Sequence, residues 1–305
     1  MMRTTKLAGR ETSRIGLGCG RLQGGAGAKA GRRLVEEARK LGIAHFDVAP
    51  SYGLGLAENV LGEVLEGDAG VTIATKAGIS RPNNAGLKSL ARQLLRPLLT
   101  TAPALRQRLA DQAQRAVPRN QFTPNQIETC FAESLRRLRR DRVDVLLLHQ
   151  PDPGSIRADT AIAMEQFVAD GRAGAVGSGT GGDLRDLVPF GTVRQYRWSP
   201  AIDPQLETTD IVHGLLRRYP RAPTPSTEMS RRFAELGFDA ADPAAWPGLL
   251  LTAALASTPG MIVLISSTTP ARLRQALKAI DWTAADGSKP GFIESAAALL
   301  KTLPA

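Results

Sequence analysis

Residues 143–152 read VDVLLLHQPD, an apolar run of strand length that ends in a histidine and a proline. Runs of this kind, alternating with segments of helical period, are the signature of repeated strand–helix units around a parallel sheet. Working outward, strands are expected at Arg14–Cys19, Ala44–Ala49, Val71–Ala77, Val143–His149, Ala175–Gly179, Thr192–Trp198, Ile211–Gly214 and Ile262–Ser266. Helical patterns fall between them at Gly31–Lys40, Ala57–Glu66, Asn125–Arg139, Thr160–Asp170, Asp183–Leu187 and Ala271–Ala279, with a last helix at Phe292–Lys301. Thr123 and Pro124 supply a start signal for the third of these, with Glu128 close by. Eight strands with intervening helices predict an α/β chain folded as a single (β/α)8 TIM barrel over residues 1–305. The seventh strand is short and carries Asp210 and His213, and Pro220–Ala244 has no clean period, so irregular structure is expected there.

Composition narrows the class. With 43% hydrophobic and 22% charged residues the chain is globular with a sizeable core. No apolar stretch approaches the roughly 18 to 20 residues of a membrane span. The first residues, MMRTTKLAGRETSR, are charged and lack the apolar core of a secretory signal, so a cytoplasmic address is expected. Cys19 and Cys130 have neither metal-site nor redox-pair spacing, and no metal is expected.

The net charge of +10 is uneven. Residues 81–121 hold eight basic side chains against the one acid Asp111, and Arg136–Arg142 hold five against Asp141, leaving the rest close to neutral. Basicity confined to two segments argues against a nucleic-acid-binding face and for a local preference for anions. The first segment lies in a long excursion between Gly78 and Gln121, where a barrel ordinarily uses a few residues. Its middle, LKSLARQLLRPLLTTAPALRQRLADQAQRA, reads as two short amphipathic basic helices broken at Pro97. A basic helical insertion over 79–122 is therefore expected on the active-site face, as a lid or as a solvated pad on the rim.

Four polar side chains stand at the ends of successive strands: Asp47 in AHFDVAP, Tyr52 in the following PSYG turn, Lys76 in VTIATKAG and His149 in VDVLLLHQPD. A barrel gathers such strand ends at one rim, where barrel enzymes carry their chemistry. Period-two alternation sets Val145, Leu147 and His149 on one strand face, and Thr72, Ala74 and Lys76 on another. A tyrosine is a poor acid near neutral pH unless a cation stabilises its phenolate, which Lys76 can do. A buried ammonium in turn requires a carboxylate, and Asp47 is the natural partner. His149 can orient a carbonyl oxygen toward the tyrosine. The set describes a proton donor to a carbonyl that receives hydride from a nucleotide cofactor.

These segments carry a resemblance. FDVAPSYGLGLAENVLGEVL, VTIATKAG, VDVLLLHQPD and MEQFVADGRAGAVG resemble, in order and spacing, the signature segments of the aldo-keto reductase superfamily, across about Thr5 to Ile280. The resemblance implies a (β/α)8 barrel using NADPH, with NADH open. It also implies Tyr52 as general acid/base, Asp47 and Lys76 as the pair tuning it, and His149 as the carbonyl-orienting group. Gly18 and Cys19 fall where the family's first strand meets the cofactor. The family's Ser-Asn pair for the nicotinamide carboxamide is replaced by Gly179 and Thr180, while Gln195 matches its carboxamide-binding glutamine. Ser266, Ser267, Thr268 and Arg272 correspond to the loop and helix start that bind the adenosine phosphates. The aromatic after strand seven has no clear match, and His213 is the candidate for its space.

The expected substrate is a small carbonyl compound, with an anionic one favoured by the basic excursion. Two other readings stay open: a catalytically weak cofactor-binding barrel that serves as a regulatory subunit, and association with an acidic partner through residues 81–121. His45 is expected to be a core histidine, and Trp198 and Trp246 core or rim aromatics. Oligomeric state is not legible.

Overall fold

The computed structural model describes residues 2–22, 24–82, 118–200, 209–219, 226–257 and 260–302, and the expected basic helices between 83 and 117 lie outside the described residues. Two short strands come first, β1 (Thr4–Leu7) and β2 (Arg10–Ser13), paired antiparallel. Their turn residues Ala8 and Gly9 both have positive φ, 49° and 77°, the backbone that matches hairpin twist. No strand is expected from the sequence before Arg14, so this hairpin is an addition.

Eight parallel strands follow: β3 (Ile15–Gly18), β4 (His45–Asp47), β5 (Thr72–Ala77), β6 (Val143–His149), β7 (Ala173–Gly179), β8 (Val193–Arg197), β9 (Thr209–His213) and β10 (Ile262–Ile265). Each pairs with the next, and β10 pairs with β3 to close the barrel. The expected eight strands are all present, with ends within two residues of those read from the sequence.

Helices α1 (Ala28–Lys40), α2 (Ala57–Leu65), α3 (Pro124–Leu138) and α4 (Ala158–Ala169) lie where periodicity put them. Thr123 opens α3 by a capping exchange with Gln126, whose Oε1 accepts from the Thr123 amide at 3.1 Å and hydroxyl at 2.8 Å. The segment Asp183–Leu187 is a single 3-10 turn at Leu184–Asp186 rather than a helix, being too short to sustain one. After β9 come α5 (Leu215–Arg218), α6 (Thr227–Glu235), α7 (Ala245–Ser257), α8 (Pro270–Lys278), α9 (Trp282–Ala285) and α10 (Phe292–Lys301).

Helix α6 corrects the expectation of irregular structure across Pro220–Ala244. The Ser226 hydroxyl caps it by accepting from Met229 N at 3.1 Å, and Arg231 and Arg232 pair with Glu228 along its surface. Only Phe233 of α6 is buried, so caps and ion pairs carry the helix and leave no apolar period to read. Helix α7 is the opposite case. AWPGLLLTAALAS is apolar all round because α7 packs against α8, α9 and α10, and a helix buried on all sides shows no stripe.

Burial divides the core in two. Phe46, Leu61, Phe131, Leu146, Leu148, Tyr196 and Leu249 belong to the layer between barrel and helices. Leu7, Ala74, Val145, Leu147, Val193, Ile211, Ile262 and Leu264 fill the barrel interior, so alternate residues of β6 face opposite sides. Leu7 comes from the hairpin, which stoppers the end opposite the strand tips. Arg10 of the same hairpin bonds Asp144 at 2.7 Å and the carbonyl of Val71 at 3.1 Å, while Asp144 accepts the amide of Ile73 at 2.7 Å. On the outer layer, a Cβ on Gly62 of α2 would lie 2.2 Å from the carbonyl oxygen of Arg137, so glycine there lets α2 meet α3.

His45 sits wholly inside, as expected for a core histidine. Its Nδ1 is 3.0 Å from the Thr72 hydroxyl, which is itself 2.7 Å from that of Thr12. Burial pushes its pKa down to about 4. The native ring is therefore neutral at a pH where the unfolded chain, with an ordinary value near 6.5, binds a proton. Stability from this group is full above pH 6.5 and falls by about 3 kcal/mol as pH drops to about 4. Urea denaturation from pH 7 to pH 4 should show this slope, and His45→Gln should flatten it.

Candidate active site

Four strand ends and one turn build the site. Asp47 ends β4 and Lys76 lies near the end of β5, both nearly sealed from solvent with side chains 4% and 1% exposed. Lys76 Nζ donates to Asp47 Oδ2 at 2.6 Å and to the Val48 carbonyl at 3.0 Å. Gln195 Nε2, from β8, donates to the same Asp47 oxygen at 2.6 Å. Two donors on one carboxylate oxygen give the buried pair the extra hydrogen bonds it requires.

Tyr52 opens a tight turn, Tyr52–Gly55, in which Gly53, Leu54 and Gly55 all have positive φ. Glycine is obligatory at 53, where a Cβ would fall 2.4 Å from the carbonyl oxygen of Leu22. The turn brings the Tyr52 ring to 5.1 Å from Lys76 Nζ, measured to the ring centre. His149, ending β6, meets the same ring edge-on with centroids 5.9 Å apart and planes at 83°. The structure thus brings together all four residues of the expected quartet.

Their electrostatics follow from burial and neighbours. Burial raises the Tyr52 phenol above its ordinary value, Lys76 opposes that rise, and the net result is a protonated phenol. For Lys76, burial works against the charge, but Asp47 and Tyr52 outweigh it and raise the ammonium above its usual range. His149 goes well below the usual imidazole range through burial and the positive fields of Lys76 and Arg119. Its Nδ1 is buried without a hydrogen-bond partner among the described residues. The site therefore holds a neutral phenol, a neutral imidazole and a fixed ammonium. Cys19 packs as a thiol against the Leu17 carbonyl, and burial raises its pKa, so it is no thiolate nucleophile.

The loop after β7 is held through its backbone. Gln150 N donates to Gly179 O at 2.7 Å, Thr180 N to Gln195 O at 2.8 Å, and Arg197 to Gly181 O at 2.5 Å. His213 Nε2 lies 2.9 Å from Thr180 O, and Thr180 Oγ1 accepts from Gly182 N at 3.1 Å. His213 is therefore tied to this loop by a hydrogen bond. Gln195, whose match to the family implied carboxamide binding, has its Nε2 committed to Asp47.

At the far end, Ser266 Oγ donates to Gly18 O at 3.0 Å and ties β10 to β3. Ser267 turns back on its own loop, with Oγ 2.8 Å from Thr269 O and 3.2 Å from Thr269 N. Thr268 and Arg272 are exposed, and Arg272 forms no ion pair among the described residues. Helix α8 starts at Pro270 without a side-chain cap, leaving its first amides and the positive end of its dipole available to an anion.

A parallel barrel whose titratable groups converge on the carboxyl ends of its strands has the layout of a barrel enzyme. The sequence profile described as Aldo/keto reductase family matches residues 14–181, more than half of the chain, and the chain belongs to that family. An aldo-keto reductase of Bacillus subtilis is 29% identical over 177 residues, 55% of this chain and 44% of that protein. A D-threo-aldose 1-dehydrogenase of a Pseudomonas species is 32% identical over 157 residues, 48% of this chain and 43% of that protein. The chain thus spans less than half the length of these curated relatives. Among solved structures, the holo form of an aldo-keto reductase from Bacillus halodurans matches with a TM-score of 0.68 and 19% identity, covering 97% of each chain, a likeness of fold.

Sequence reasoning missed two features of the site. Gln195 as a second donor to Asp47 carries no local signal, because the residues are 148 positions apart. Arg119 was one of eight basic residues in a run, and only the backbone path sets it beside His149.

Removing the carboxylate from this centre leaves an ammonium buried alone. Asp47→Ala should lower unfolding free energy by about 3–5 kcal/mol, read from the urea midpoint at pH 7, whereas Asp47→Ala/Lys76→Met should recover much of the loss.

Proposed function

We propose that the protein is an NADPH-dependent oxidoreductase that reduces a small aldehyde or ketone to its alcohol, or runs the reverse oxidation, with Tyr52 as proton donor. The observation that carries this reading is the buried Lys76–Asp47 pair, with its ammonium 5.1 Å from the centre of the Tyr52 ring. A phenol held protonated beside a fixed cation can release its proton when an alkoxide forms next to it, because Lys76 stabilises the phenolate left behind. Asp47 keeps Lys76 charged and in place, and Gln195 steadies Asp47. His149, neutral, has one N–H to give to the substrate oxygen, which orients the carbonyl toward Tyr52.

The residues fit a nicotinamide dinucleotide. The uncapped start of α8 with Ser266, Ser267, Thr268 and Arg272 suits its phosphates, and the charge of Arg272, which has no ion pair among the described residues, supports NADPH over NADH. Gly18, Cys19, Asp47, Gly179, Thr180 and Gln195 are the candidates at the nicotinamide end, where the Thr180 hydroxyl stands in place of the side-chain amides. When bound, the cofactor supplies the hydride. The kinship with a D-threo-aldose 1-dehydrogenase supports interconversion of carbonyl and alcohol. No helix among the described residues is long and apolar enough to cross a membrane. We assign the protein to the cytoplasm, where the unpaired thiols Cys19 and Cys130 stay reduced.

Quenching of tryptophan fluorescence should show tighter binding of NADPH than of NADH, with the difference lost in Arg272→Ala. Tyr52→Phe should keep NADPH binding and lose nearly all turnover across an aldehyde panel. Equal turnover in that variant sinks the assignment of Tyr52, and binding without turnover of any aldehyde favours the regulatory barrel.

A further inference from the structure

The chain passes the active-site rim again where the long excursion returns. Its root is narrow: Ser80 N donates to Pro118 O at 3.0 Å and Gln121 N to Gly78 O at 3.0 Å. On the returning side Asn120 has φ 54°, and its side-chain amide donates to Asp152. Facing it, Gln150, the residue after His149, also has φ 54°, and its side-chain carbonyl accepts a hydrogen bond from the Arg119 guanidinium. Left-handed backbone is uncommon at a non-glycine residue, although asparagine adopts it more readily than most. Two such residues meet here, and both orient the pair Arg119 and Gln150. Strain concentrated at one point of a rim points to a role for the groups it aims.

Arg119 is a cation without a counter-ion among the described residues. It is exposed and forms no ion pair among the described residues, its hydrogen-bond partner being the neutral amide of Gln150. The nearby carboxylate of Asp152 accepts instead from the Asn120 amide. Its field reaches the imidazole of His149, the group that would orient a carbonyl. A guanidinium has five N–H donors in a planar fork, and most of these remain after the bond to Gln150. A single fork with one amide beside it matches the two coplanar oxygens of a carboxylate, whereas a phosphate dianion would call for further cations.

We propose that Arg119 is a specificity-determining residue that binds a carboxylate carried by the substrate, so that the preferred substrates are aldehydes or ketones bearing a carboxylate group. This rests on the carbonyl-reduction reading above. It goes beyond a general preference for anions by naming the residue, the substrate group and the side of the site that it occupies: the His149 side of the rim, next to the loop at Gly181.

The test compares 4-carboxybenzaldehyde with its methyl ester, methyl 4-formylbenzoate, at saturating NADPH, for the unsubstituted chain and for Arg119→Gln. The expected result is a higher kcat/KM for the acid that falls roughly 10- to 100-fold in Arg119→Gln, mainly through KM, while the ester changes little. Arg119→Lys should recover part of the preference, and added salt should erode it. Equal use of acid and ester, or a preference that survives Arg119→Gln, overturns the assignment. Turnover of neither compound would overturn the reductase reading instead. Calorimetric titration with 4-carboxybenzaldehyde then decides the Arg119 assignment alone: heat lost in Arg119→Gln upholds it, and equal heat, or none, in both chains overturns it.

Discussion

An ammonium that water cannot reach must be neutralised by something fixed, and that requirement organises the carboxyl end of this barrel. Lys76 and Asp47 lie on strands that are direct neighbours, β5 beside β4, so the pair spans one step of the sheet. The barrel's closure brings Gln195 from the opposite side of the sequence onto the same carboxylate. Burial keeps the proton on the phenol above this charge although the ammonium opposes it, and burial together with the same positive field keeps the imidazole beside it neutral. Burial and this one contact thus set the charge at the rim together, and the contact is a consequence of strand order.

Much of this was legible because two periods are written into the sequence. Apolar runs ending in Asp47, Lys76 and His149 located the strands, and alternation within them predicted which side chains face inward; the interior cluster of Val145 and Leu147 below His149 agrees with that alternation. Elements without a period escaped. Helix α7 is covered on every side and so has no polar face, and α6 is held by Glu228 and its arginines, which leave no apolar stripe. The hairpin at Thr4–Ser13 has only four residues per strand, too few for alternation to stand out. In the site, the quartet was legible because each member closes a strand or the turn beyond it. The bonds from Gln195 to Asp47 and from Arg119 to Gln150 were not, since both depend on the path of the chain rather than on any neighbouring residue.

The two ends of the barrel divide the work. At one end the hairpin, Leu7 and the Arg10–Asp144 pair seal the interior with contacts that touch none of the site residues. At the other, polar groups are held short of full satisfaction among the described residues: a histidine nitrogen without a partner, a helix start without a side-chain cap, an arginine bonded to an amide. Of these only the buried histidine nitrogen costs stability where it stands, because the helix start and the arginine face solvent.

The root of the excursion carries a different lesson. Its two sides are joined by a pair of backbone hydrogen bonds at Gly78–Ser80 and Pro118–Gln121, so the barrel meets this segment across the width of a two-strand ribbon whatever lies between. Closing a loop on fixed ends costs free energy that grows only with the logarithm of its length, about 0.6 kcal/mol per doubling. Length and composition can therefore drift here almost independently of the fold. The position behaves as a socket in which evolution, or a protein engineer, can exchange one segment for another while the buried Lys76–Asp47 pair stays as it is.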